Sequence, residues 1–364
     1  MRIAFLGDAS LDHVRRWAGY FGGRGHDVLL LSFEEAVDCA VPCRRLKTVL
    51  PTKLLGYTAA LGSVKSELEF FRPEIVNALY AGGYGFVAAL SGFRPLVVTT
   101  LGSDLLVDYP SSIIHRLQID YAVRKAELVT TDADILTDIL VRSGTPPVKI
   151  LKAYFGIDES VFYPPAEDPG PEPHAGARII STRNLHPIYG VERLIDALPP
   201  LLEHIDAHFV ICGDGPERGR LERKAALLGL EGRIEFKGRL GSEALAGELR
   251  AADVYVSTSR SDSTSVSLLE AMACGVPPVV TDIPANREWI TDGENGLLVP
   301  PGVPLSLAGA IRRILGDRAF AVDARELNRK LEMERGLWDQ NMEIIERAFT
   351  RLIEGAGEGK NTHR

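Results

Sequence analysis

Short apolar runs alternate along the chain with stretches whose apolar residues recur at helical spacing. Arg2-Ile-Ala-Phe-Leu-Gly-Asp8 reads as a buried strand ending at a glycine, about Leu11 to Arg24 as an amphipathic helix, and Val28 to Ser32 as a second strand. That is a βαβ unit. Further strands are expected at Ile75 to Leu79, Leu96 to Thr100, Leu128 to Thr131 and Lys149 to Lys152, with helices at Thr58 to Phe71, Gly85 to Ser91 and Ser112 to Lys125. Near-continuous apolar strands separated by helices predict a parallel sheet covered on both faces. The stretch Tyr163 to His174 holds five prolines and can form neither a helix nor a central strand, so it reads as a linker or surface excursion. A second series then begins. Strands are expected at Arg178 to Ser181, His208 to Cys212, Ile234 to Lys237, Val254 to Ser257, Pro278 to Thr281 and Gly296 to Val299. Helices fall between them at Val191 to Leu202, Glu217 to Leu228, Ala244 to Ala251 and Ser267 to Ala273. The pattern is α/β throughout, two Rossmann-like domains that would place a ligand between the carboxyl edges of their sheets.

Length supports the division, because 364 residues exceed what a single core of roughly 250–300 residues accommodates. No apolar run reaches the roughly 18–20 residues of a membrane span, and the N-terminus turns acidic too early for a signal peptide, so a cytoplasmic protein is expected. Cys39, Cys43, Cys212 and Cys274 are too few and too irregularly spaced for a disulfide framework or a zinc site. A net charge of −8 argues against nucleic acid as a partner. The charge is uneven: 17 basic and 18 acidic residues through Pro165 give −1, whereas 24 and 31 from Ala166 onward give −7. Arg44, Arg45, Lys47, Lys53 and Lys65 share an acid-free stretch, Val41 to Ser66, which is either a solvated face or a patch for an anionic acceptor or the anionic inner face of a membrane.

Known signatures exclude several chemistries. Gly7-Asp8-Ala9-Ser10 is not G-x-G-x-x-G, which disfavours a dinucleotide enzyme; no P-loop, G-x-S-x-G elbow or H-E-x-x-H pair occurs, and no metal or other cofactor is expected. The informative region is Ser257 to Pro301. A strand ends near Ser257, a polar loop runs through Asp262-Ser263-Thr264-Ser265, and a helix starts near Val266 with its free amides and positive dipole end directed at the loop, an arrangement suited to phosphate. Asp262 and Glu270 bracket that helix start. On spacing alone they read first as a capping aspartate and an ordinary helical glutamate.

Glu270-Ala-Met-Ala-Cys-Gly275 resembles the signature of glycosyltransferase family 4, the retaining group 1 glycosyltransferases of GT-B fold, in which two acids precede Ala-Met-Ala-x-Gly. Cys212 to Pro216, Ile234 to Gly238, Ala252 to Val256, Thr281 to Glu288, Asn295 to Pro300 and Phe155 to Phe162 fit the same family in the same order. The resemblance implies an N-terminal acceptor domain over 1–160, completed by a C-terminal helix over 340–364, and a nucleotide-sugar donor domain over 161–339, closing over the donor to exclude water. The last residues from Gly355 are expected to fray. Glu270 would accept from the donor ribose. Asp262 would meet the sugar, with Ser263, Thr264 and Ser265 beside it. The amides of Val266 and Ser267, with Arg183, would hold the diphosphate. Three positions depart from the family. Tyr189 stands where a lysine is usual. Leu101, beside Ser103 and Asp104, replaces a usual histidine. Asp8, Ser10 and His13 replace a Gly-Gly loop, so His13 and Asp104 are candidate catalytic helpers or acceptor-site groups, with a helix-surface histidine the plain reading of His13. The implied reaction transfers a sugar from a nucleoside diphosphate sugar, UDP favoured over GDP, to a hydroxyl of a glycan, lipid-linked or small-molecule acceptor in polysaccharide or envelope biosynthesis. Two alternatives stay open: a GT-B nucleotide-sugar epimerase, and a non-catalytic nucleotide-sugar-binding protein.

Overall fold

The predicted strands pair into two parallel sheets, each belonging to one of two compact units: residues Met1–Tyr154 with Met342–Arg364, and residues Phe155–Asn341. The structure, a computed structural model, describes residues 1–48, 53–165 and 176–361. Most of the proline-rich stretch after Pro165 therefore lies outside the described residues.

The first unit runs β1 (Arg2–Leu6), α1 (Asp12–Gly23), β2 (Asp27–Ser32), β3 (Cys43–Arg45), α2 (Lys53–Ala59), α3 (Leu61–Phe71), β4 (Ile75–Leu79), α4 (Gly83–Ser91), β5 (Leu96–Thr99), α5 (Tyr109–Ser111), α6 (Ile113–Lys125), β6 (Leu128–Thr131), α7 (Asp134–Arg142) and β7 (Ile150–Lys152). The strand order is β3-β2-β1-β4-β5-β6-β7, and Phe5 of β1 pairs with Leu30 on one side and Asn77 on the other. Ile3, Leu30, Val76, Val98 and Val129 are fully buried, as strands covered on both faces require. The single helix expected over Thr58 to Phe71 is two, because ψ at Ala60 relaxes to −6° between α2 and α3. The edge strand β3 was not foreseen; it is short and polar, as unpaired edges tend to be. It also carries part of the basic stretch. Arg44 bonds Glu67 at 2.6 Å and lies over the Phe70 ring, while Arg45 meets Glu35 at 3.4 Å. Sequence-distant carboxylates thus neutralise two of the five cations; Lys47 and Lys65 are exposed, and the Lys53 side chain lies outside the described residues.

The second unit runs β8 (Ala177–Ser181), α8 (Val191–Leu202), β9 (Ala207–Cys212), α9 (Arg218–Leu227), β10 (Ile234–Gly238), α10 (Ser242–Arg250), β11 (Val254–Ser257), α11 (Val266–Ala273), β12 (Pro278–Thr281), α12 (Pro284–Arg287), β13 (Leu297–Val299), α13 (Pro304–Gly316) and α14 (Arg318–Arg335). Its order is β10-β9-β8-β11-β12-β13, all parallel. Helices α12 to α14 were not predicted. Of these, α14 buttresses α11 and the loops beyond it: Arg325 Nε donates to the Gly275 carbonyl at 3.1 Å, and Asn328 exchanges hydrogen bonds with Asn295.

The last helix, α15 (Trp338–Asn361), begins in the second unit, where Trp338 packs on Phe155, and continues into the first. There Phe349 stacks on Phe21 with centroids 5.3 Å apart, and Glu346 bonds His26 at 2.6 Å. The helix runs six residues past Gly355, where fraying was expected; residues 362–364 lie outside the described ones.

Candidate functional site

In the second unit the chain leaves neighbouring strands β8 and β11 in opposite directions, toward β9 and β10 on one side and toward β12 and β13 on the other. In open parallel sheets such a switch point opens a crevice beyond the strand ends. The loop after β8 carries Arg183, and the loop after β11 carries Asp262 and the start of α11. Arg183 reaches across with both Nη groups: Nη2 donates to Asp262 Oδ2 at 2.6 Å, and Nη1 donates to Ser265 Oγ at 2.6 Å and Ser267 Oγ at 2.8 Å. The Tyr189 ring lies under the guanidinium, 4.1 Å from its carbon. Tyr189 thus supplies no charge of its own but holds the cation in place. Gly213 makes the approach possible, since a Cβ there would sit 2.3 Å from the Arg183 carbonyl oxygen.

Arg183 is 7% exposed and the Asp262 side chain 15%. Burial lowers the affinity of Arg183 for its proton, but Asp262 more than restores it, so the cation persists at any ordinary pH. Burial likewise raises the Asp262 carboxyl above the usual aspartate value, against the pull of Arg183. Leu268 and Leu269 donate to the Ser265 carbonyl, so the amides of Val266 and Ser267 precede the first bonds of the helix and face its N-terminal end. Ser263, Thr264 and Ser265 are buried along the loop, and Glu270 is half-buried one turn into α11. The loops after β8 and β11 therefore bring together a forked cation, the leading amides of α11 and the Asp262 carboxylate, with Glu270 a turn further along the helix. The first two suit a diphosphate; the carboxylates suit hydroxyl donors.

The remaining sequence candidates belong to the first unit, whose switch point lies between β1 and β4. A cavity of about 260 Å3 opens there, lined among others by Asp8, Tyr57, Tyr80, Tyr84, Asp108 and Gln118. Of the positions singled out in the sequence, Asp8 and Leu101 line it. Asp8 Oδ1 accepts from the amide and hydroxyl of Ser10, which is exposed. Burial lowers His13 below the usual imidazole value despite the Asp8 carboxylate, so it is a neutral, half-buried side chain on α1. Asp104 departs most from its expected role. It is fully buried, and its oxygens accept from the amides of Ala81, Leu101 and Leu105, so it shapes the loop instead of facing a substrate. Burial pushes its carboxyl up to about 6. Ser103 is exposed beside it. Sequence reasoning missed the tyrosines, Asp108 and Gln118, although Tyr80-Ala-Gly-Gly-Tyr-Gly85, aromatic and glycine-rich straight after a strand, was a usable signal. Among the described residues no three His, Cys, Asp or Glu side chains cluster so as to hold a metal ion.

Comparison with known proteins covers both units. The family described as glycosyl transferases group 1 matches residues 167–331, and that described as glycosyl transferase 4-like matches residues 2–133. An uncharacterized glycosyltransferase of Methanocaldococcus jannaschii is 35% identical over 150 residues, 41% of this chain and 38% of its own length. D-inositol 3-phosphate glycosyltransferase of Geodermatophilus obscurus is 28% identical over 338 residues, 85% of this chain and 73% of its own. Among solved structures, Anabaena HepE in complex with UDP-glucose superposes with a TM-score of 0.79 at 21% identity, covering 97% of this chain and 100% of that one. With both sheets, the signature helix and both family matches in agreement, the chain belongs to glycosyltransferase family 4, the group 1 transferases of GT-B fold.

Proposed function

We propose that the protein is a retaining glycosyltransferase that takes a nucleoside diphosphate sugar, UDP-linked in preference to GDP-linked, at the switch point of the Phe155–Asn341 unit. The observation that carries this reading is the convergence of Arg183, Asp262 and the N-terminus of α11 in one buried cluster. Complexes of HepE with UDP-glucose support the choice of donor. In this reading the diphosphate takes over the Arg183 fork and the amides of Val266 and Ser267, groups fixed before the reaction and therefore effective against the charge that develops as the bond breaks. Asp262, released from Arg183, accepts from sugar hydroxyls, and Glu270 accepts from the ribose. Asp262 is one methylene shorter than a glutamate, so its reach favours a sugar held close to the loop. The acceptor hydroxyl attacks on the face the diphosphate leaves; its proton passes to the departing phosphate oxygen, and the new glycosidic bond replaces the sugar–phosphate bond with retention. The acceptor is a hydroxyl-bearing glycan, lipid-linked or small molecule, as in polysaccharide or envelope glycoconjugate synthesis.

A thermal-shift screen with UDP-glucose, UDP-N-acetylglucosamine, UDP-galactose and GDP-mannose tests the donor. A ligand at 100 times its Kd stabilises the fold by about 2.7 kcal/mol, an easily visible shift. A UDP-sugar should give the largest shift, followed by acceptor-dependent UDP release. Conversion of the donor to its epimer without acceptor would point to the isomerase reading, and tight binding with no turnover on any acceptor to a binding protein.

A further inference from the structure

The cavity at the β1–β4 switch point has a chemistry of its own. Its polar lining is acidic: Asp8 and Asp108 contribute carboxylates, and among the described residues no lysine or arginine lines it. Each carboxylate is half-used. Asp8 spends Oδ1 on Ser10, and Asp108 spends Oδ2 on the Tyr80 hydroxyl at 2.5 Å, which leaves Asp8 Oδ2 and Asp108 Oδ1 without a protein donor among the described residues. The same lining holds a donor. Gln118 is 6% exposed, lines the cavity, and its Nε2 has no hydrogen-bond partner. A buried amide left unpaired costs about 1–3 kcal/mol, which a ligand oxygen would recover. It shares one face of α6 with Ile119 and, three residues earlier, His115, both also on the cavity wall.

The aromatic wall is held by strain and by glycine. Tyr80 has φ +104°, a conformation that costs a bulky residue of order 1–3 kcal/mol and that gathers at functional sites. Its amide donates to Thr99 at 2.9 Å and its hydroxyl to Asp108, which fixes the ring. A Cβ at Gly83 would lie 2.1 Å from the Tyr57 ring, so only glycine lets that ring close over the start of α4. A volume of about 260 Å3 is just below the roughly 300–1,000 Å3 of drug-sized ligand sites, enough for one ring and not for a chain.

We propose that this cavity binds the acceptor, as a single polyhydroxylated ring bearing no phosphate or carboxylate: hydroxyls donate to Asp8 and Asp108, one accepts from Gln118, and the tyrosines cover the ring's apolar face. Uncharged and amine-bearing rings fit; an anionic group would meet two carboxylates. The assignment rests on the glycosyltransferase reading, and it moves the acceptor away from the basic stretch, whose Arg44 and Arg45 already have carboxylate partners.

Titration calorimetry of the full chain in saturating UDP tests it with three pairs: myo-inositol and its 1-phosphate, glucosamine and its 6-phosphate, methyl glucoside and glucose 6-phosphate. At least one unphosphorylated member should bind, its phosphorylated counterpart at least tenfold more weakly. Gln118→Leu and Asp108→Asn should each weaken that binding at least fivefold and leave UDP affinity unchanged, and Gln118→Leu, which removes an unpaired buried amide, should not lower the melting temperature. A phosphorylated member that binds as well as its parent, no binding by any parent, or full binding by Gln118→Leu overturns the proposal. UDP binding, read separately, shows whether it is instead the donor assignment that fails.

Discussion

Breaking the Arg183–Asp262 pair separates what it contributes to stability from what it contributes to chemistry. Arg183→Met keeps most of the side chain's volume but leaves the Asp262 carboxylate buried without its cation, at 15% exposure. Removing one partner of a buried pair costs about 3–5 kcal/mol, whereas replacing both by apolar residues is often nearly neutral. Asp262 can limit its loss by taking up a proton, since burial already raises its pKa; the lower end, about 3 kcal/mol, is therefore expected at pH 7. For a unit of this size 1 kcal/mol moves Tm by about 2–4 °C, giving a drop of about 6–12 °C in scanning calorimetry of the full chain. The double variant Arg183→Met/Asp262→Leu should recover at least half of that drop. Its donor binding should not recover, because the diphosphate still lacks the guanidinium. Additive losses in the double variant, or a single-variant drop under 2 °C, would refute the account of the pair; recovery of UDP binding along with stability would refute its role at the donor.

Three further outcomes follow from particular contacts. Glu332 is fully buried behind α11, where burial and nearby Glu270 raise its carboxyl well above the usual value despite Arg329. A raised carboxyl pKa stabilises below the unfolded value and loses that contribution as pH rises through the folded one. Glu332→Gln should thus raise Tm at pH 8 and not at pH 4, and an equal effect at both pH values contradicts this. Gly213→Ala forces a methyl toward the Arg183 carbonyl, so calorimetric titration should show UDP affinity reduced at least tenfold; unchanged affinity would mean the loop relaxes without moving Arg183. Phe349→Ala removes a fully buried ring stacked on Phe21 and should cost about 3–5 kcal/mol in chemical denaturation, while a loss under 1 kcal/mol would show that α15 adds little to the first unit.

Much of the fold was legible because parallel strands announce themselves: β4, β6, β11 and β12 lie where their apolar runs end. The meeting of Arg183 and Asp262 was legible for the same reason, since they follow strands that the topology makes neighbours. Other features went unread. The three residues of β3 become a strand only by pairing with β2. Helix α13 has a clear apolar stripe, Leu307, Ala308, Ile311 and Ile314, but it follows the last strand, where the βα alternation gives no further prompt. Gln118 reaches the cavity only because α6 packs on α4, and its importance lies in an unpaired amide that composition and spacing do not encode. Asp104 shows the converse: its place in the sequence suggested chemistry, and backbone amides claim its oxygens.

The central claim, that the donor nucleotide sits on α11 with its ribose at Glu270 and its diphosphate at Arg183, is tested most directly by titrating UDP into the wild-type protein and into Glu270→Ala, with melting curves to establish that both are folded. The account predicts saturable binding by the wild type and affinity at least tenfold lower in the variant, a loss of at least about 1.4 kcal/mol. Equal affinity in two equally folded proteins would contradict it.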